Sequence, residues 1–221
     1  MNTRTQIILA AKERFSHYGY PKTTMAEVAA DCNMSPGNLY RYFKGKLDIA
    51  TEIAREESIM TVDRLRPLID CPVRSAGERL EEVMFSGLRE SFHKLENKPK
   101  AVELAQIVST QRPRFLLESL RRERRVIAIV LDYGRKTGEF VVEDVSRTAA
   151  TLQAATMKYH YPQLFTHQTL QELEAELSAM LKLFFAGLIN SDYEETEEIT
   201  EKTLSFQYIC HDIYIFYVFL R

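Results

Sequence analysis

Between Ser35 and Lys46 the chain places Ser35, Pro36, Gly37, Asn38, Tyr40, Arg41, Tyr42 and Lys46 in one short stretch. An amide and a guanidinium match the donor and acceptor pattern of base edges in a DNA major groove, whereas tyrosine hydroxyls and a lysine suit phosphates. Gly37 has no side chain to hold a duplex away from the backbone. Leu39 and Phe43, four residues apart, form an inward stripe that leaves the polar groups outside. A helix serving only as core would not put Asn, Arg and two Tyr on its open side.

No other constellation offers chemistry. The three cysteines, Cys32, Cys71 and Cys210, are far apart and form no CxxC or Cys/His cluster, so no metal is expected. There is no Ser/His/Asp arrangement, no glycine-rich phosphate loop and no carboxylate pair in an apolar setting. The residues therefore imply no catalytic group, no cofactor and no enzyme. The odd cysteine count suits a reducing compartment. The N-terminus lacks a signal-peptide core. The longest apolar run, Ile213–Leu220, is far short of the roughly 20 residues of a membrane span. The expectation is a cytoplasmic protein with no membrane partner.

The outward-facing set needs a frame, and the frame reads as all-α. Thr3 and Gln6 have capping-box spacing, and Ile7, Ala11, Phe15 and Tyr18 form the face of a first helix that Gly19-Tyr20-Pro21 stops. Thr24 and Glu27 form a second capping box ahead of Met25, Val28, Ala29 and Cys32. Asn33 tolerates the left-handed backbone that ends a helix. Ser35 then caps a third helix, Pro36–Phe43, with proline at its first position. Two short helices joined by a tight turn are a helix-turn-helix.

Further helical patterns follow: Lys46 to about Leu68, ending at Pro67 or just before; Arg74 to about Glu96; Ala101 to Gln111; Pro113 to about Lys136; a helix capped by Asp144 reaching about Tyr159; and one capped by Thr169 and Glu172 reaching about Ile189. With 221 residues, 45% hydrophobic and 27% charged, the composition is globular. The net charge is −2, yet residues 1–47 hold seven basic and three acidic side chains. A basic head on an acidic body suits a polyanion partner for the head. The division is a helix-turn-helix domain at 1–47 and a helical body at 48–221.

Residues Thr23–Ala29 and Met34–Lys46, with the pattern Ser35-x-Gly37-x-Leu39-Tyr40-x-Tyr42-Phe43-x-x-Lys46, resemble the TetR family of bacterial transcriptional repressors over about residues 5–52. The remainder resembles the family only in length and helical character. Asn33 stands where Gly is frequent, and Leu47 where an acidic residue is frequent. The resemblance implies a three-helix DNA-binding head, a linking fourth helix and a ligand-sensing, dimerising body. It places Thr24 and Lys46 at phosphates, and Ser35, Pro36, Gly37, Asn38, Tyr40, Arg41 and Tyr42 against DNA. The partners it implies are a double-stranded, roughly palindromic operator, a small-molecule effector that releases it, and a second copy of the chain. An activator, or a regulator without an effector, is the alternative on the same scaffold.

Two further sites are expected in the body. Leu170, Leu173, Leu177, Leu181, Phe184 and Leu188 form a stripe, widened by Met180, Leu183, Phe185 and Ile189. With Leu152 and Tyr159 of the preceding helix they would make a four-helix dimer interface. Met84, Phe85, Phe92, His93, Leu104, Ile107, Val108, Phe115, Tyr133 and Met157 would line a ligand cavity, with His93 and His160 as polar handles; plain core is the competing reading of each. Arg121–Arg125 reads as a solvated face, as does the acidic run from Asp192 to Glu201. The aromatic segment 203–221 is expected to dock on the body or on the partner subunit, since exposure would invite aggregation.

Overall fold

The structure is a computed structural model that describes residues 2–71, 74–161 and 167–189, with no strand among them. The helices are α1 (Thr3–Tyr18), α2 (Met25–Asp31), α3 (Pro36–Tyr40), α4 (Lys46–Ile69), α5 (Ala76–Asn97), α6 (Pro99–Gln111), α7 (Pro113–Thr137), α8 (Val145–Ala155), α9 (Met157–His160) and α10 (Leu170–Ile189). Among the described residues no helix is long and apolar enough to cross a membrane. The expectations for segment 203–221, for Cys210 and for the acidic run lie outside the described residues.

Most helix ends follow from local chemistry. Thr24 and Glu27, Ser75 and Glu78, and Thr169 and Glu172 each form a reciprocal capping box. Gly138, in the left-handed region at φ 76°, ends α7. Other boundaries differ from the sequence expectation. Asn2, not Thr3, caps α1, its Oδ1 accepting from the Arg4 N–H at 2.6 Å. The helix expected from Arg74 starts at Ala76, because Ser75 takes the cap.

Helix α4 passes through Pro67 to Ile69. Proline removes one backbone bond, but Leu65 and Ile69 are both buried in the body core and hold the last turn in place. Arg79 then closes that end, donating to the Ile69 carbonyl at 2.7 Å and to the Arg74 carbonyl at 3.0 Å. The helix expected to reach Tyr159 breaks at Thr156. That buried hydroxyl donates back to the Leu152 carbonyl at 2.8 Å, at the junction of α8 and α9.

Two apolar cores result. The body core gathers α5, α7, α8 and α10 around Leu80, Met84, Leu88, Val130, Leu131 and Leu177. The head core gathers α1–α4 around Ile7, Phe15, Leu39 and Ile49, and it also takes in Leu104 and Val108 of α6 and Phe115 of α7. The head is therefore seated on α6 and α7. The boundary expected between residues 47 and 48 falls in the first turn of α4, a continuous helix.

Candidate nucleic-acid interface

The helix-turn-helix is built from a complete set of local bonds. The turn after α2 has the Met34 N–H on the Ala29 carbonyl and the Asn33 N–H on the Ala30 carbonyl, both at 3.0 Å. Asn33 sits at φ 54°. This is a Schellman closure with asparagine at the left-handed position. Ser35 Oγ then accepts from the Asn38 N–H at 3.3 Å, and Pro36 occupies the first position of α3, where a missing N–H costs nothing.

Helix α3 is shorter than expected. It has five residues and ends at Tyr40, not Phe43. The Arg41 and Tyr42 N–H groups bond three residues back, to the Asn38 and Leu39 carbonyls, so the last turn tightens toward 3₁₀ geometry. Leu39 and Phe43 still point inward, at 0% and 3% exposure, whereas Tyr40 is 53% exposed and Tyr42 39%. Ser35, Pro36, Gly37 and Arg41 are exposed with them, and Asn38 is half-buried. These groups share one open face.

The two expected phosphate residues are occupied. The Thr24 hydroxyl donates to Glu27 at 2.8 Å, and the Thr24 N–H donates to the same carboxylate at 2.7 Å. These bonds, hydroxyl first, hold the Glu27 pKa below its ordinary value. Lys46 Nζ donates to the Tyr20 and Thr23 carbonyls, at 2.7 and 2.6 Å, and lies 4.2 Å from the centre of the Tyr20 ring. Burial lowers its pKa against the pull of Glu27. One ammonium N–H is left for a phosphate; the other two tie the α1–α2 loop to α4.

Three arginines that sequence reasoning missed hold the reading face in place. Arg14 of α1 grips both oxygens of Asp31 and lies 3.4 Å from Glu27, fixing α2 on α1. Its hydrogen bonds lower the Asp31 pKa. Arg4 lies 4.3 Å over the Phe43 ring and donates to the Tyr42 carbonyl at 3.2 Å, steadying the end of α3. Arg112, at the α6–α7 junction, pairs with Asp48 in the first turn of α4 at 2.9 Å. No local pattern announces these contacts, because each partner lies between 17 and 64 residues away.

The expected body sites fare differently. Leu152, Leu173, Leu177 and Leu181 are at most 1% exposed, and Tyr159 and Leu188 are also buried. They pack inside their own body, with Leu170 and Phe184 partly buried against the same core. In the single chain, α5 and its neighbours thus cover most of the stripe expected at a dimer interface. The outer edge of α10 instead exposes Leu183, 78% accessible, beside Ala179, Ala186 and Gly187.

The expected ligand residues do not converge on one cavity. Met84 is core, and Phe85, Phe92 and Tyr133 pack partly against it. Tyr133 is covered by the Arg79 guanidinium at 3.8 Å. His93 is exposed, with Nδ1 3.1 Å from Asn97 Nδ2. Phe115, with Leu104 and Val108, belongs to the head core. Ile107 is half-buried on α6 and Met157 half-buried at the start of α9. A different set of polar groups stands out in the body: Glu123 of α7, with His160 and Tyr161 at the end of α9, all three half-buried. Burial lifts the Glu123 carboxyl to about 7 despite Arg122 and Lys94. Burial lowers His160 to about 4. It also raises the Tyr161 phenol, with the Glu123 charge adding to it.

A capped helix-turn-helix with its polar face open, seated on a helical body, defines a DNA-binding transcriptional regulator. Residues 7–53 match the family described as bacterial regulatory proteins, tetR family, and residues 76–181 match the tetracyclin repressor-like C-terminal domain. The chain belongs to the TetR family of transcriptional regulators, a family of regulators and not of enzymes.

Among similar proteins, the HTH-type transcriptional regulator UidR of Escherichia coli K12 is 34% identical over 68 residues, 31% of this chain and 35% of UidR. The chain thus spans about a third of the length of that relative. Salmonella enterica GusR has a TM-score of 0.59 at 20% identity, over 85% of this chain and 95% of its own. A TetR/AcrR-family regulator from Thermobifida fusca has a TM-score of 0.60 at 24% identity, over 86% and 98%. At these identities the structural likeness is one of fold.

Proposed function

We propose that the protein is a homodimeric repressor that docks α3 of each head in a major groove and leaves its operator when a small molecule binds the body. The observation that carries this reading is the division of the α3 segment. Leu39 and Phe43 are sealed in the head while Tyr40, Arg41 and Tyr42 are open. Two such heads would meet successive grooves about 34–36 Å apart, so the operator is roughly palindromic.

Dimerisation uses the outer edges of α8 and α10. Leu183 is the large apolar side chain there, and the small residues around it permit close helix approach. The effector site lies in the body. Its support is the Glu123 carboxyl, close enough to Tyr161 to act on that phenol electrostatically, with half-buried His160 next to it in the chain. The effector can shift DNA affinity only by its own difference in affinity between the two head arrangements.

Selection of bound fragments from the source genome, followed by transcription of the adjoining gene with and without the regulator, tests the proposal. Enrichment of one palindromic sequence and higher expression after deletion are expected. Uniform recovery of fragments, or a fall in expression, overturns it.

A further inference from the structure

An open cleft of about 480 Å³ runs between the end of the reading segment and the start of α7. Tyr42 and Lys44 form one wall, and Arg112 and Arg114 the other. Its charges do not balance. Asp48 is taken by Arg112 at 2.9 Å, Glu52 by Arg4 at 3.5 Å, and Glu118 by Arg55 at 3.6 Å and Arg122 at 3.8 Å. Lys44 and Arg114, both exposed, have no ion pair or hydrogen bond among the described residues. Arg55 Nε, also in the lining residues, is enclosed and has no acceptor.

The backbone adds to the imbalance. Helix α7 is 25 residues long and starts in this cleft, with no side-chain cap and Pro113 at its first position. The positive end of its dipole and the free Arg114 N–H therefore reinforce the surplus cations. Among the described residues that line the cleft, no unpaired carboxylate is left to settle the surplus. With α3 docked in DNA as proposed above, a polyanion would abut this wall, since Tyr42 and Lys44 closely follow α3.

We propose that the cleft is a phosphate clamp: Arg114 of the body, together with Lys44, grips backbone phosphates of the same duplex that α3 reads. The inference rests on the docking of α3 in DNA. It adds a contact from outside the helix-turn-helix, so the DNA footprint includes the body. The Arg112–Asp48 pair sets the distance between the two walls. Phosphate contacts carry no sequence information, so the clamp adds affinity and salt dependence, not base preference.

The test measures dissociation constants of the full-length protein for its selected operator fragment by fluorescence anisotropy across a salt series. Wild type is compared with Arg114→Ala and Arg114→Glu, and with Arg121→Ala on the distal, exposed part of α7. Loss of one phosphate contact lowers the slope of log K against log salt by about 0.9. Arg114→Ala removes one contact from each subunit of the bound dimer and should lower the slope by about 1.8, Arg114→Glu by at least as much, and Arg121→Ala not at all. The preferred base sequence should stay the same for all. Equal slopes for wild type and both Arg114 variants overturn the clamp while leaving α3 docking intact. Failure of the wild-type protein to prefer any fragment removes α3 docking, and the clamp with it.

Discussion

Glu123 and His160 should make the pH profile of stability nearly flat by opposing one another, and single substitutions should uncover each slope. In the unfolded chain Glu123 titrates at its ordinary 4.5 and His160 at 6.5. Folding moves the first to about 7 and the second to about 4, burial being the leading cause for both. Between pH 4.5 and 7 the folded state holds the Glu123 proton that the unfolded state has lost, so this site's contribution falls as pH rises. Between pH 4 and 6.5 the unfolded state holds a proton on His160 that the folded state lacks, so that contribution rises. Each shift of roughly 2.5 units corresponds to about 3 kcal/mol. Carboxylates with lowered pKa values, such as Asp31 and Glu90, act mainly below this range and are common to all variants. Urea unfolding at half-unit steps from pH 4.5 to 8 is the assay. Glu123→Gln should gain about 3 kcal/mol across pH 4.5–6.5, because only the His160 slope remains. His160→Gln should lose about the same between pH 4.5 and 7. Profiles for the two variants that run parallel to wild type would refute the argument, and with it the polar character assigned to this part of the body.

Three other outcomes are expected. A Cβ at Gly134 would stand 2.3 Å from Phe140 Cδ2 and 2.8 Å from the Ala76 Cβ, so Gly134→Ala should cost about 1–3 kcal/mol by overpacking the α5–α7 crossing; an unchanged melting temperature contradicts this. Lys46→Ala leaves the Tyr20 and Thr23 carbonyls without their charged donor and should destabilise the protein by about 2 kcal/mol. It should also weaken binding to every DNA sequence, whereas Asn38→Ala should change which sequences bind; a Lys46 variant that alters sequence preference alone would argue against its role as a loop tie. Leu183→Glu should shift the protein toward monomer in sedimentation, and an unchanged mass would place the dimer face elsewhere.

What could be read from the chain depended on how far apart the interacting groups stand. The caps at Thr24, Ser35 and Thr169 and the left-handed Asn33 involve partners within five residues, and their geometry is dictated locally. The buried side of α3 followed equally from two residues four apart. Arg14 on Asp31, Arg4 on Phe43 and Arg112 on Asp48 join elements that meet only after the chain has folded, and spacing carries no sign of them. The stripe Leu173–Leu188 shows a third situation. Helical spacing establishes that such a stripe is buried, but it does not name what covers it. Here the chain's own α5 covers most of it, with Phe184 only partly buried.

The same burial decides how the body can act on the head. The polar links between them, Lys12 with Glu57, Arg112 with Asp48 and Lys100 with the His17 carbonyl, involve solvent-exposed or half-exposed groups, and pairs of that kind contribute only about 0–1 kcal/mol each. Leu104, Val108 and Phe115 are instead 6%, 0% and 7% exposed within the head core. Full burial of each such side chain is worth about 1.5–3 kcal/mol. The apolar seat therefore outweighs the ionic ties, and α6 with the start of α7 cannot shift without carrying the head along. An effector bound near Glu123, on the same continuous α7 that supplies Phe115, would act on the head through packing. High salt should consequently weaken DNA binding while leaving the effector's ratio of affinities nearly unchanged; a ratio that collapses as the ion pairs are screened would return the coupling to those pairs.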